Sequence, residues 1–176
     1  MDIKQAIRHL SAGQDLDAGQ TAGLIREMMT GQCTDAQIAA FLVALQIKGI
    51  KTAELLGAAR VMRELATPVA VPPDAHLVDT CGTGGTGTDT FNISTSAAMV
   101  AACAGARVAK HGNRGATSKS GSADLLEAAG VNLGISPEQV AQCIQTLGVG
   151  FMLAPGHHSA MKHVIGPRRE IGVRTI

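Results

Sequence analysis

Two consecutive prolines, Pro72 and Pro73, divide the 176-residue chain into stretches with different hydrophobic patterns. Proline lacks an amide hydrogen and interrupts both helices and strand ladders, so residues 69–74 are predicted to be a linker. Before the linker apolar residues recur at helical spacing, and after it short apolar runs alternate with helical segments. The pattern predicts an α/β protein, with a helical bundle domain at 1–70 and an α/β domain at 71–176.

Four short helices are predicted in the first region. Thr34 followed by Gln37 forms a capping box for the third helix, which Gly49 ends, and Thr52 is predicted to cap the fourth. The apolar positions that define the four faces are Ile3, Ile7, Leu10, Leu24, Ile25, Met28, Met29, Ile38, Phe41, Leu42, Leu45, Leu55, Leu56, Val61 and Leu65.

Beyond the linker, strands are predicted at 76–80, 107–110 and 149–154, the first of them buried, and each is separated from the next by helical patterns. Ser136 followed by Pro137 and Gln139 is a typical helix start. This alternation predicts a mostly parallel sheet with flanking helices, incomplete at the C-terminus. Cys103 and Cys143 fall on predicted helices and are expected to be inert core residues.

Composition excludes several classes of protein. There are 15 Lys+Arg and 14 Asp+Glu, a formal net charge of +1, which argues against nucleic-acid and membrane-surface binding. The longest apolar run, 97–104, is far shorter than the ~20 residues of a membrane span. The four cysteines include no C-x-x-C pair, and the first residues lack a signal-peptide pattern. We expect a cytoplasmic protein without membrane or nucleic-acid partners.

A glycine-rich loop, 82–87, follows the first predicted strand of the α/β region and precedes a helix. Four glycines in six residues allow backbone N–H groups to converge on an anion, and the helix N-terminus adds partial positive charge. The side chains of Thr90, Asn92, Ser94 and Thr95 add hydrogen-bonding groups. The loop is therefore predicted to hold a diphosphate, with a merely flexible turn as the alternative.

Two other phosphate motifs fit this loop poorly. The glycine spacing satisfies the dinucleotide-binding pattern, yet the next strand ends in Lys110 and His111 where an acidic residue should bind the ribose. A P-loop needs Gly-Lys-Ser/Thr, but Thr88 and Asp89 follow Gly87.

A second polar loop, 110–122, carries three cationic residues, three serines and one threonine. Both polar loops follow predicted parallel strands, so they should meet at the carboxyl edge of the sheet, where ligands bind in open α/β folds. We expect a positive, hydroxyl-rich cleft for a substrate with phosphates at two ends. A solvated loop is the alternative.

Residues 157–169 contain three histidines and an arginine pair. Zinc binding is disfavoured because there is no H-E-x-x-H motif and no nearby cysteine. Arg168 and Arg169 could bind a carboxylate in fork geometry or could be ordinary surface charges.

The motifs GTGGTGTDTFNIST at 82–95, KHGNRGATSKSGSAD at 110–124, GFMLAP at 150–155 and RREIGVRTI at 168–176 resemble the anthranilate phosphoribosyltransferase family. The resemblance covers essentially the whole chain and implies the fold of nucleoside phosphorylases and phosphoribosyltransferases with a helical bundle. It implies a transferase of tryptophan biosynthesis that moves the phosphoribosyl group of phosphoribosyl pyrophosphate to the anthranilate amine and releases pyrophosphate. A homodimer through the helical domain and a return of residues 157–174 to that domain are expected.

The resemblance also implies site residues. Anthranilate would contact Gly82, Asn113 and Arg168, with Arg168 facing the carboxylate, and Ser94 would be a ligand to Mg²⁺. No residue is expected to act as nucleophile or general base. Phosphoribosyl pyrophosphate would contact Gly82, Gly85, Thr86, Thr90, Asn92, Ile93, Ser94, Thr95, Lys110, His111, Gly112, Asn113, Arg114, Gly115, Ala116, Thr117, Ser118 and Ser122.

Two departures from the family qualify these expectations. Thr86 stands where the family usually has aspartate, and relatives continue into a second half that supplies an Asp-Glu pair for magnesium. The chain therefore resembles the N-terminal half, and its 176 residues alone are expected to be inactive or incomplete. The alternatives are a non-catalytic relative that binds a phosphate ligand or nucleic acid, and a truncated dimerisation module.

Overall fold

The computed structural model of the chain describes residues 1–72, 76–82, 91–115 and 119–172. These residues form two compact units. The first combines Met1–Ala66 with the described residues from His158 onward, and the second is Thr67–His157. None of the helices in the described ranges is both long and apolar enough to cross a membrane.

The first unit is helical throughout its regular structure. Asp2, Asp17 and Thr34 cap the first three helices, each with a glutamine three residues later that accepts a hydrogen bond from the cap backbone. The capping box predicted at Thr34 is confirmed. Its elements are α1 (Ile3–Ser11), α2 (Ala18–Met29), α3 (Asp35–Lys48), α4 (Thr52–Glu64), a 3₁₀ helix (Ser159–His163) and α9 (Ile165–Glu170).

The predicted cap of α4 is wrong by one residue. Lys51 is the N-cap, and Thr52 is already helical. Glu54 fixes this start, because its carboxylate accepts a hydrogen bond of 2.8 Å from the Lys51 backbone N–H, as the third helical residue of a capping box does.

The core of this unit is aliphatic with one aromatic residue, Phe41, which is fully buried. Val164, from the distant C-terminal segment, belongs to the same cluster of buried side chains as the four N-terminal helices. Helices α2 and α4 approach closely at Gly57, where an added Cβ would lie 2.4 Å from the Ala18 carbonyl oxygen. Only a glycine permits this approach without movement of the backbone.

Glu54 is also the polar centre of the bundle. Its side chain is fully buried and accepts hydrogen bonds from the Leu16 backbone N–H at 3.0 Å and the Lys48 ammonium at 3.0 Å, besides Lys51. Lys48 in turn pairs with the exposed carboxylate of Asp15 at 2.7 Å. Burial alone would raise the pKa of Glu54, but these hydrogen bonds and the Lys48 charge hold the pKa below its usual value.

The second unit is an α/β layer around a parallel sheet of β1 (Leu77–Val78), β2 (Arg107–Gly112) and β3 (Val149–Leu153), in that order. Val108 pairs with both Val78 and Val149, so β2 is central among the described strands. This confirms a helical region followed by a parallel sheet with flanking helices. The helices are α5 (Ile93–Cys103), α6 (Ser122–Ala128), α7 (Pro137–Leu147) and α8 (Ala154–His157).

Two sequence expectations fail in this unit. The first strand was expected to be buried, but Leu77 and Val78 are 37% and 41% exposed because they form an edge among the described strands. Cys103 was expected in the core, but it lies at the exposed last position of α5. The predicted start of α7 is confirmed, with Ser136 as cap and Pro137 in the first turn.

Candidate functional site

Polar side chains gather where β1 and β2 end side by side in the second unit. Asp79 follows β1 directly, Lys110 and His111 lie near the end of β2, and Ser94 lies in the first turn of α5. The two strands are parallel, so their carboxyl ends share one edge of the sheet, which is where open α/β folds bind ligands.

Lys110 is the most deeply buried cation of this group, with 2% of its surface exposed. Its ammonium donates to the Ser94 hydroxyl at 3.2 Å and to the His111 carbonyl at 3.3 Å. Burial lowers the pKa of Lys110, while the nearby Asp79 charge works in the opposite direction. Two neutral acceptors satisfy a buried ammonium only partly, so an anion that reached it would gain more than it would from an exposed lysine.

Asp79 joins the ends of the two strands. Its Oδ1 accepts hydrogen bonds from the backbone N–H of Cys81 at 2.9 Å and of His111 at 3.2 Å. Burial, and next the hydrogen bond and charge of Asp79, raise the pKa of the Cys81 thiol. The carboxylate therefore fixes the backbone of both segments while placing negative charge beside Lys110.

Two more hydrogen bonds bring α5 to this edge. The Thr80 hydroxyl donates to the Ser94 carbonyl at 2.8 Å, and the Asn92 amide donates to the Ser120 hydroxyl at 3.2 Å. The second contact joins the start of α5 to the second polar loop. Ser94, Lys110 and His111, all predicted to be site residues, are linked through the Lys110 ammonium, and Asn92 joins Ser120 by a separate hydrogen bond.

Thr95 differs from its neighbours on α5. It is 2% exposed, and its hydroxyl has no hydrogen-bond partner among the described residues. It lines a cavity of about 340 Å³ whose other walls are mostly apolar, including Phe151 and Leu126. Ile93, also predicted to be a contact, is 53% exposed.

The second polar loop is closed by Asp124 of α6. Its Oδ2 accepts hydrogen bonds from the backbone N–H of Gly115 at 2.8 Å and of Gly121 at 2.7 Å, which lower its pKa. An added Cβ at Gly121 would lie 2.4 Å from the Gly115 nitrogen and 2.5 Å from the Asn113 oxygen. The two ends of the loop therefore approach too closely for any residue other than glycine.

Arg114 points its charge toward α6. Its guanidinium lies 2.5 Å from the Glu127 carboxylate and 3.9 Å from that of Asp124. Sequence reasoning placed Arg114 against phosphate and missed both carboxylates. Asp124 and Glu127 are three positions apart on the following helix and therefore lie on the same face. This spacing of two acidic residues is the sequence pattern that could have predicted the pairing with Arg114.

The remaining predicted residues lie in several places. Gly112 and Ser122 are half-buried in the second unit, whereas Gly82 and Asn113 are exposed there, and Arg168 is exposed on α9 in the first unit. The Asn113 carbonyl accepts from the Ala123 N–H at 3.2 Å. Outside the described residues lie Gly85, Thr86, Thr90, Ala116, Thr117 and Ser118.

Comparison with known proteins identifies the family of the chain. Residues 74–176 match the glycosyl transferase family a/b domain, and residues 4–66 match the glycosyl transferase family helical bundle domain. The chain belongs to the glycosyl transferase family. A curated member of the glycosyl transferase family, anthranilate phosphoribosyltransferase from Azotobacter vinelandii, is 60% identical over 176 residues, which are 100% of this chain and 50% of that protein.

Two solved structures extend the comparison. Anthranilate phosphoribosyltransferase from Thermus thermophilus has 45% sequence identity and a TM-score of 0.87, over 97% of this chain and 51% of that one. The Saccharomyces cerevisiae enzyme in complex with PRPP and Mg has 28% sequence identity and a TM-score of 0.86, over 98% of this chain and 52% of that one. The chain therefore spans about half the length of the relatives that it matches.

Proposed function

We propose that this chain forms part of an anthranilate phosphoribosyltransferase, which transfers the phosphoribosyl group of phosphoribosyl pyrophosphate to the amine of anthranilate in tryptophan biosynthesis. The observation that carries the proposal is the buried ammonium of Lys110, held at the carboxyl edge of the sheet between Ser94 and the end of β2. The names of the relatives supply the substrates, and the site supplies a fixed cation for a phosphate group.

The chemistry required of such a site is mainly electrostatic. As the bond from the ribose anomeric carbon to pyrophosphate breaks, positive charge grows on the ribose and negative charge grows on the leaving group. The anthranilate amine is itself the nucleophile, so positioning can replace covalent catalysis. The diphosphate is proposed to be held by Lys110, by backbone N–H groups near the start of α5 and by the hydroxyl of Ser94.

The remaining phosphoribosyl contacts inferred from the family motifs belong to the same proposal. The Asn92–Ser120 hydrogen bond joins the start of α5 to the second polar loop, so a ligand bound there would meet hydrogen-bonding groups from both. Arg114 is proposed to contribute through its backbone, because its side chain pairs with Glu127.

Magnesium fits the described residues poorly as a resident ion. The predicted ligand, the Ser94 hydroxyl, already accepts a hydrogen bond from the Lys110 ammonium, and a positive charge at 3.2 Å opposes a second cation. Mg²⁺ prefers carboxylate and phosphate oxygens, which a single hydroxyl does not replace. We propose that Mg²⁺ acts with the whole enzyme, bound mainly to the substrate diphosphate.

For the acceptor, we propose that Gly82 and Asn113 contact anthranilate and that Arg168 binds its carboxylate. The exposure of Arg168 on α9 leaves its guanidinium accessible to an anion. We further propose a helical domain at 1–70, an α/β domain at 71–176, a return of 157–174 to the helical domain, and a cytoplasmic location, which suits four free cysteines.

A homodimer through the helical domain is also proposed. Ile47 is 82% exposed at the end of α3, and Leu55 and Leu56 are 51% and 45% exposed on α4. Large apolar side chains exposed on these two consecutive helices would suit a surface that another subunit covers.

The test separates donor binding from turnover. Calorimetry should detect binding of phosphoribosyl pyrophosphate to the chain with Mg²⁺, and Lys110→Met should weaken that binding at least tenfold. Lys4→Met, the same change on the exposed surface of α1, should not. Loss of anthranilate fluorescence should then be measured after adding the second half of the Azotobacter vinelandii relative.

Three outcomes are distinguishable. Binding with turnover supports the transferase, and binding without turnover supports a non-catalytic phosphate-binding relative instead. Neither binding nor turnover, with both proteins folded by circular dichroism, contradicts the proposal. Equal binding by Lys110→Met and the unaltered chain contradicts the role of Lys110.

A further inference from the structure

We propose that Asp79, Cys81 and His111 form a binding site for a divalent transition metal that prefers sulfur ligands, such as Zn²⁺. One ligand atom from each residue, a carboxylate oxygen, a sulfur and an imidazole nitrogen, lies within 4.8 Å of the other two. Among the described residues no other group of three such side chains was found. The proposal concerns metal binding alone and is independent of the proposed phosphoribosyl transfer.

The backbone already holds these three residues together. Asp79 and Cys81 follow β1, and His111 lies on β2, so the site would join two strands at their carboxyl ends. One oxygen of Asp79 accepts the backbone N–H of both Cys81 and His111. The main chain around all three ligands is therefore fixed before a metal arrives, and the carboxylate has a second oxygen to offer.

The required adjustment is small. Zinc binds sulfur at about 2.3 Å and nitrogen or oxygen at about 2.0–2.2 Å, so tetrahedral ligand atoms lie roughly 3.5 Å from one another. The present separations would have to close by about 1 Å, and the exposure of Asp79 and Cys81 leaves space for their side chains to move. Three protein ligands leave a fourth position for water or another ligand, as in zinc sites that are not purely structural.

The ligand types select the metal. Thiolate and imidazole favour Zn²⁺ and Co²⁺, whereas Mg²⁺ prefers oxygen ligands. Lys110, whose charge acts on both Asp79 and Cys81, opposes a cation here. With the thiol deprotonated, the carboxylate and thiolate carry two negative charges against this one positive charge, so the sum still favours a divalent ion.

The test uses the tag-free 176-residue chain and Co²⁺ as a spectroscopic probe. Titration should give one equivalent of bound Co²⁺ with a thiolate-to-metal charge-transfer band in the near ultraviolet, and Zn²⁺ should displace it. Cys81→Ser should abolish the band. Cys103→Ser, which removes another exposed thiol, is the matched control and should leave the band unchanged.

Asp79→Asn provides a second variant, since its amide oxygen can still accept both backbone hydrogen bonds. It should keep the charge-transfer band but weaken Co²⁺ binding at least tenfold. The proposal is overturned if the folded chain shows no such band, if the band survives Cys81→Ser, or if Asp79→Asn binds Co²⁺ as tightly as the unaltered chain. Circular dichroism of each variant shows whether it is folded.

Discussion

Replacing Glu54 with glutamine should destabilise the helical bundle although it changes the shape of the side chain very little. Glutamine keeps one acceptor oxygen and places an NH₂ donor where the second oxygen was. In the best orientation the oxygen still meets Lys48 and Lys51, and the new donor faces the backbone N–H of Leu16. In Glu54→Gln the side-chain NH₂ and the Leu16 backbone N–H are therefore two buried donors that face each other without an acceptor.

The size of the effect follows from these contacts. A buried N–H left without an acceptor costs about 1–3 kcal/mol, and converting a charge-assisted hydrogen bond into a neutral one costs about 1 kcal/mol more. Lys48 keeps its pairing with Asp15, which prevents the larger cost of an isolated buried charge. We expect Glu54→Gln to lower the free energy of unfolding by about 2–4 kcal/mol.

Urea unfolding followed by far-ultraviolet circular dichroism is the suitable assay, because the chain has no Trp or Tyr to report by fluorescence. With a urea dependence of about 2 kcal/mol per molar, the midpoint should fall by about 1–2 M. Asp15→Asn, which alters the exposed partner of the same lysine, is the control and should cause a much smaller shift. Equal midpoints for Glu54→Gln and the control would refute the reasoning.

Four further predictions concern pH, packing and the proposed sites. The pKa of Glu54 in the folded chain lies below its ordinary 4.5, so its stabilising contribution is present above pH 4.5 and is lost as the pH falls through the folded pKa. The difference between the urea midpoints of the unaltered chain and Glu54→Gln should therefore shrink in acid. A difference that stays constant with pH would contradict this. Gly57→Ala should lower the free energy of unfolding by about 1–3 kcal/mol in the same urea assay. Gly23→Ala, a change at a helical glycine with open space around it, is the control and should raise the free energy of unfolding by up to about 1 kcal/mol. A Gly57→Ala variant as stable as the unaltered chain would refute the close approach of α2 and α4. Gly121→Ala should weaken phosphoribosyl pyrophosphate binding measured by calorimetry, because its Cβ cannot fit against Asn113–Gly115; unchanged binding would exclude the loop from the donor site. In an assembled enzyme Arg168→Ala should mainly raise the KM for anthranilate, and a selective loss of donor affinity would show that Arg168 is assigned to the wrong substrate.

Helix boundaries were predictable where a local signal determines them. Ser136, Pro137 and Gln139 form a complete start signal within four residues, and Gly148 ends the same helix in the left-handed conformation. Thr52 was misjudged because the competing group, Glu54, acts through the backbone of Lys51 and is itself fixed by Leu16 and Lys48. Such tertiary contacts leave no local pattern in the sequence.

The candidate site likewise combines features that the local sequence pattern predicts with features that depend on tertiary contacts. That Lys110 and Ser94 lie together was predictable because they stand at the end of a strand and the start of a helix, positions that the α/β alternation identifies, whereas their role in binding stays a prediction. Asp79 stands at an equivalent position but was overlooked beside the glycine-rich loop. The pairing of Arg114 with Glu127 depends on how α6 returns to its own loop, which hydrophobic periodicity does not predict.

The division of the chain into two units has a consequence for its synthesis. The bundle core contains Val164, so the four N-terminal helices leave the ribosome long before the segment that completes them. The second unit is an insertion whose ends meet, since the Thr67 N–H donates to the His157 carbonyl at 2.7 Å. Once folded, that insertion acts as a short link rather than a long loop, which reduces the entropy lost when the bundle closes. The bundle, although its first four helices are synthesised first, should therefore be completed only after residues 67–157 have been synthesised.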